Sequence, residues 1–153
     1  MNHLVFKQFE LTRGFFIGTV ESIPEEIIDV KPEGFNNTIH WHIGHVLTIT
    51  EGVISYPHKS TIHLPENYIE LFDTGTRPTE WKGDIPSVDK LILQLKDQLV
   101  RLQQIPSGKI NERLDNPFNG LETFGEFASL VLLHEGIHLG QISIMKRMIE
   151  YVK

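Results

Sequence analysis

The chain has 153 residues, a length that fits a single domain, 1–153, with a core of its own. Its formal net charge is −6 and it has no basic run, so we expect neither nucleic acid nor an acidic membrane surface as a partner. It has no cysteine, which excludes disulfides and protein thiolates. With no apolar signal-like segment or membrane-length run either, the composition predicts a cytoplasmic protein.

Apolar residues that recur at helical spacing predict four long helices. In chain order they cover about 3–22, 37–55, 88–105 and 122–150. Asn37 or Thr38 can cap the second helix, and Ser87 can cap the third. The pattern predicts an all-α fold, a four-helix bundle.

Two irregular connections separate these helices. Residues 56–86 contain four prolines, and we expect a short helix near 65–72 and a long loop that packs over one end of the bundle. Residues 106–121 form the second connection, in which no strand-like alternation stands out.

Two histidines of the fourth helix have the spacing of metal ligands. His134 and His138 are four residues apart, so they lie about 40° apart on one helix face. The same face carries Phe127, Val131 and Ile142 and therefore points inward. Inward polar groups need partners, and a shared metal ion would satisfy both imidazoles.

A third ligand is available from the second helix, which contains His40, His42 and His45. His42 and His45 share roughly one face, whereas His40 points away from them. We prefer His45 because it continues the inward-facing stripe, which comprises Thr38, Trp41 and Ile49. The adjacent Gly44 would allow close approach of another helix or a ligand. Catalytic zinc sites often use three protein ligands and leave one position open.

The segment from His134 to His138 also matches the H-E-x-x-H pattern of zinc proteases, in which the glutamate is the general base. Only 15 residues follow His138, so a distant third ligand has little room and peptidase activity is not favoured. Glu135 is either a base or second-shell group, or a solvated helix residue, and the helix geometry slightly favours the solvated interpretation.

Two further side chains are candidates for cofactor or substrate contacts. Gln141 lies on a face similar to that of His138, where it either orients a ligand or forms a buried amide contact with a neighbouring helix. Trp41 is expected in the core or in the wall of a pocket.

The two motifs together resemble the DinB/YfiT-like superfamily. The resemblance rests on Trp41-His-Ile-Gly-His45-Val and on His134-Glu-Gly-Ile-His138-Leu-Gly-Gln141-Ile, and helix order and length match over essentially the whole chain. It implies a four-helix bundle, often a homodimer, with a three-histidine site for zinc, nickel or a similar ion. The family's ligands correspond to His45, His134 and His138. The additional His42 departs from the pattern and leaves open which of the two neighbours binds.

The resemblance and the residues lead to three functional hypotheses. The first is a metal-dependent enzyme acting on a small molecule, either a low-molecular-weight-thiol (bacillithiol-type) S-transferase or a hydrolase in which Glu135 or His42 moves protons. The second is a non-catalytic metal-binding stress-response protein. The third is a structural bundle whose histidines bond to one another and to backbone groups.

Overall fold

The computed structural model describes residues 2–58 and 61–152. It confirms the predicted all-α four-helix bundle, formed by α1, α3, α5 and α6, with a small two-stranded sheet added. The helices are α1 (Asn2–Glu21), α2 (Glu25–Ile28), α3 (Ile39–Ile54), α4 (Asn67–Phe72), α5 (Val88–Gln103) and α6 (Phe124–Val152). Short 3-10 turns span Pro78–Glu80 and Ser107–Asn111, and the strands are β1 (Arg113–Phe118) and β2 (Leu121–Thr123).

Side-chain caps fix where the long helices begin. The Thr38 hydroxyl accepts a hydrogen bond from the Trp41 amide at 3.2 Å at the start of α3, and Ser87 caps α5 in the same way. At α6, Thr123 accepts from the Glu126 amide and the Glu126 carboxylate accepts from the Thr123 amide, a reciprocal capping box. These caps satisfy amides that have no partner within their own helix.

The core lies between the four long helices. α6 packs against α1 and α3, and α5 packs against the same two helices from the other side. The largest fully buried apolar side chains are Phe9, Phe16, Ile27, Ile39, Ile43, Leu47, Phe72, Leu91, Leu95, Ile142 and Met145. Burial of apolar surface on this scale is the main stabilising contribution to the fold.

The long connection between α3 and α5 contains the predicted short helix, α4. α4 packs directly on α3, because a Cβ atom at Gly44 would lie only 2.3 Å from the Phe72 ring. Only glycine permits this approach. The expectation that Gly44 allows close packing is therefore confirmed, and the partner is α4.

The connection before α6 is not the plain loop that we expected. It forms an antiparallel β1–β2 hairpin, with Phe118 paired to Leu121. Asn119 and Gly120 make the two-residue turn with φ of 49° and 84°, the left-handed backbone that an Asn-Gly turn requires.

Helix α6 also departs from an expectation based on hydropathy. It is long and apolar enough to cross a membrane by length and composition alone. The core helix of a bundle passes the same test, and α6 packs on α1 and α3 here and buries the charged Glu135. Only 28% of its most apolar stretch is buried, so packing within the bundle accounts for part of its apolar character.

Candidate metal centre

Three imidazoles from two helices meet inside the bundle. Nε2 of His134 lies 3.0 Å from Nε2 of His45 and 3.0 Å from Nε2 of His138. One potential ligand atom from each residue lies within 4.8 Å of the others, a grouping that could hold a metal ion. The structure thus brings the three predicted ligands together, with His45 on α3 and the other two on α6.

Two of the three nitrogen pairs have a separation close to that of tetrahedral coordination. Two nitrogens that each lie about 2.0–2.1 Å from one zinc ion at a tetrahedral angle are about 3.3 Å apart. The observed separations of 3.0 Å differ from this value by only a few tenths of an ångström. Three converging Nε2 lone pairs repel one another unless a proton or a cation lies between them, so the donor set is suited to a cation.

Backbone contact sets the tautomer of His45. Its Nδ1 lies 2.6 Å from the Phe72 carbonyl oxygen, which can only accept a hydrogen bond, so Nδ1 carries the proton and Nε2 presents its lone pair. Trp41 stacks on the His45 ring, with centroids 4.4 Å apart and planes 13° from parallel. The Trp41 indole N–H in turn donates to the Thr76 hydroxyl at 2.9 Å. These contacts fix the ring in the orientation that a ligand needs.

His42 lies behind the three-histidine group rather than within it. Its Nδ1 is 2.7 Å from Nδ1 of His138, the nitrogen opposite the one that faces His134. When His138 donates from Nδ1, its Nε2 is free to bind an ion, so His42 acts on His138 as the Phe72 carbonyl acts on His45. As predicted, His40 is directed elsewhere, with Nδ1 2.9 Å from a carboxylate oxygen of Asp29.

The cluster holds its imidazoles in the neutral form. Burial is the largest cause, followed by repulsion between the neighbouring rings, and together these lower the pKa of His42 and of His134 to about 4 and that of His138 to about 3. Burial also lowers the pKa of His45, although the Phe72 carbonyl and then Asp73 act in the opposite direction. A neutral imidazole is the form that binds a metal.

Glu135 is not the solvated helix residue that the sequence favoured. Its side chain is 0% exposed, and its two carboxylate oxygens accept from Nε and Nη2 of Arg13 at 2.7 and 2.9 Å. Arg13 also donates to the Leu95 carbonyl and to Gln98. The carboxylate is thus directed towards α1 and α5, away from the place a base would need to occupy beside the histidines.

The prediction for Gln141 also needs correction, because its side chain is exposed and does not form the buried amide contact. Within the described chain it makes no hydrogen bond to His134 or His138. Trp41 is buried in the wall of the site, as expected. The sequence did not predict the role of the Phe72 carbonyl, because that role depends on the position of the backbone. It also did not lead us to Arg13, although the place of Arg13 between Phe9 and Phe16 on the buried stripe of α1 could have indicated that it is buried.

An open cavity of about 640 Å³ adjoins the centre. His134 forms part of its lining, and most of the other walls come from the second half of α3, strand β1 and the neighbouring turns of α6. The site therefore combines a potential ion-binding group with space for a small molecule.

Fold and site together define a helical-bundle protein with a three-histidine group able to hold a metal ion. The profile of the DinB superfamily matches residues 8–142, and the chain belongs to that superfamily. A crystal structure described as a conserved protein from Enterococcus faecalis has the same fold, with a TM-score of 0.67 and 14% sequence identity over 97% of this chain and 96% of that one. No match was found among curated proteins.

Proposed function

We propose that the protein is a metal-dependent enzyme that transforms a small molecule at His45, His134 and His138. The reaction is either an S-transfer from a low-molecular-weight (bacillithiol-type) thiol or a hydrolysis. The observation that carries this proposal is that His134 belongs both to the ion-binding group and to the wall of an open cavity. Zinc or nickel is the proposed metal, since three neutral imidazoles suit both ions.

The chain's own residues would orient the metal ligands. A bound divalent ion would supply a Lewis acid, which lowers the pKa of a thiol or of water. The Phe72 carbonyl and His42 hold the Nδ1 atoms of His45 and His138, so that their Nε2 atoms face the ion site. His42 reaches the ion site only through Nδ1 of His138, so it orients that ligand, and the carboxylate of Glu135 is engaged by Arg13.

A non-catalytic metal-binding stress-response protein is the alternative. Such a protein would need the three ligands but would have no need of a cavity beside them. The cavity of about 640 Å³ at His134 therefore favours catalysis.

We also propose a cytoplasmic homodimer. Helices α1 and α6 pack side by side, and both have large apolar side chains that remain exposed. These side chains include Leu11, Phe15 and Ile144. Apolar groups of this size exposed on adjacent helices are typical of protein contacts. Light scattering of the wild type and of a Phe15→Glu variant tests this proposal, because the variant should be monomeric where the wild type is dimeric.

Metal analysis and a conjugation assay test the enzymatic proposal. The purified protein should contain about one divalent ion per chain, as three ligands require. Conjugation of a thiol to an electrophilic dye, or hydrolysis of an uncharged aryl ester, should then be lost with a chelator and restored by zinc or nickel. Bound metal without either activity would favour the non-catalytic alternative. Absence of metal from protein reconstituted with both ions would reject both hypotheses.

A further inference from the structure

The cavity beside the histidines is a groove between α3 and α6 that runs away from the ion-binding group. Along α3, Ile49 and Gly52 line it at helical spacing, and along α6 the cavity wall runs from His134 back to Phe127. His134 is therefore the member of the three-histidine group that lines the groove.

The hairpin forms the far end of the groove. The Tyr56 hydroxyl accepts a hydrogen bond from the Asp115 amide at 2.6 Å, and the edge of its ring contacts Phe127. Phe118 of the same hairpin also packs against Phe127. The wall opposite the histidines is thus aromatic and is fixed to the end of α3.

The lining of the groove carries almost no charge. Within the described part of the chain, its walls include no aspartate, glutamate, lysine or arginine, and His134 and Tyr56 are the lining residues that can ionise. The nearby cation Lys109 is engaged elsewhere, because its ammonium donates to the Tyr56 carbonyl oxygen and lies 4.8 Å from the centre of the Phe124 ring. Away from the ion site, a charged ligand body buried in this groove would find no counter-charge, which costs several kcal/mol.

We infer that the groove binds the uncharged, apolar body of the substrate, aryl or alkyl in character, with its reacting group at the histidine end. This inference rests on the proposed function and narrows its substrate class. An anionic, sugar-bearing thiol does not fit the groove, so in the S-transferase version the groove receives the electrophile and the thiol approaches the histidines from outside it.

Gly52 provides a direct test because it lines the groove and a Cβ atom there meets nothing within 4 Å. The Cβ atom of a Gly52→Phe side chain would meet no neighbour, and its ring would take up space at the wall of the groove. Gly18 is the matched control, since it is a helical glycine on α1 with equally open surroundings and no place in the groove. Both variants are expected to fold, because neither new Cβ atom meets a neighbour within 4 Å.

The probes are a matched pair of fluorescent dyes, N-phenyl-naphthylamine and anilinonaphthalene sulfonate, which differ by one anionic group. We expect zinc-loaded wild-type protein to bind the uncharged dye at least about tenfold more tightly than the anionic dye. Gly52→Phe should weaken binding of the uncharged dye by about tenfold or more, and Gly18→Phe should change it less than about twofold. Equal binding of the two dyes, or unaltered binding by Gly52→Phe, would overturn the inference.

A charge introduced at the rim gives an independent measurement. Ile137 lines the groove yet is 53% exposed, so Ile137→Lys should fold and should strengthen binding of the anionic dye about fivefold or more. Unchanged affinity for the anionic dye would contradict the location of the dye site.

Zinc content, measured on the same samples, separates this inference from the proposed function. If each variant retains about one zinc per chain while Gly52→Phe binds the uncharged dye normally, the inferred substrate class is wrong but the proposed metal centre is supported. If no sample retains zinc while the two dyes bind as expected, the proposed metal chemistry is wrong but the apolar groove is supported as a binding site.

Discussion

Replacing Gly44 with alanine should weaken metal binding although Gly44 contacts no metal. The new Cβ atom would lie 2.3 Å from Cδ1 and Cε1 of Phe72, and ordinary van der Waals contact begins near 3.4 Å. The Phe72 ring must therefore move by about 1 Å. The carbonyl of the same residue accepts the Nδ1 proton of His45 at 2.6 Å, so a shift of α4 removes the contact that orients this ligand.

Two opposing effects on stability and one effect on affinity follow from Gly44→Ala. Alanine in place of glycine within a helix stabilises by roughly 0.5–1 kcal/mol, whereas overpacking a filled core costs about 1–3 kcal/mol. We therefore expect a net loss of about 1–2 kcal/mol in the free energy of unfolding. Loss of a group that orients a metal ligand lowers affinity by about 10–100-fold.

The assay is competition for zinc against a chromophoric chelator, combined with chemical denaturation of the metal-free protein. Gly52→Ala is the matched control, because it makes the same change in the same helix at a site where the new Cβ meets nothing within 4 Å. It should keep wild-type zinc affinity and gain slightly in stability. Wild-type zinc affinity in a folded Gly44→Ala protein would refute the argument that α4 positions His45.

Three other perturbations test the centre and its support. His134→Ala should remove the bound metal, whereas His42→Ala should retain it with affinity reduced by about tenfold, since His42 only orients a ligand. Metal analysis of both variants tests this. Full metal content in His134→Ala, or total loss in His42→Ala, would contradict the assignment of the ligands. Glu135→Gln should cost about 3–5 kcal/mol in denaturant unfolding, because it leaves the Arg13 charge buried without its partner, and an unaltered midpoint would count against the ion pair. The metal-free protein should lose stability as the pH falls from 6.5 towards 4, by about 1 kcal/mol at pH 5.5 for each histidine whose pKa is lowered. The reason is that the unfolded chain takes up protons near pKa 6.5, whereas the folded cluster, with pKa values of about 3 to 4, does not. Equal stability at pH 7 and pH 5.5 would be inconsistent with neutral buried imidazoles.

The histidine group was predictable because each of its members follows from helical periodicity. His134 and His138 share a face by their spacing, and His45 continues an apolar stripe, so the sequence alone brings all three inward. Periodicity could not predict how the rings are oriented. That depends on the Phe72 carbonyl, which reaches His45 only because α4 folds back onto Gly44.

The hairpin was missed for a different reason. Asn119-Gly120 is a strong turn signal, yet the strand before it lacks alternation and contains Pro117, which cannot donate to a ladder. The strands are held by contacts outside themselves, including the hydrogen bond from the Asp115 amide to the Tyr56 hydroxyl. The local sequence pattern therefore did not predict the hairpin, because contacts with other parts of the fold stabilise it.

The buried ion pair between Arg13 and Glu135, next to His134, explains how α3 and α6 keep their histidines facing one another. Apolar packing is non-directional and by itself leaves a helix some freedom to rotate, whereas a bidentate guanidinium–carboxylate contact fixes an angle. Glu135 lies about 100° around α6 from His134, so its contact with Arg13 of α1 turns His134 towards α3. Gln98 accepts from the same Arg13 and donates to the Leu47 carbonyl of α3, which joins the two histidine-bearing helices through one hydrogen-bonded network. Because a buried charge is tolerated only when fully bonded, a rotation of either helix that separates the imidazoles would also break this network.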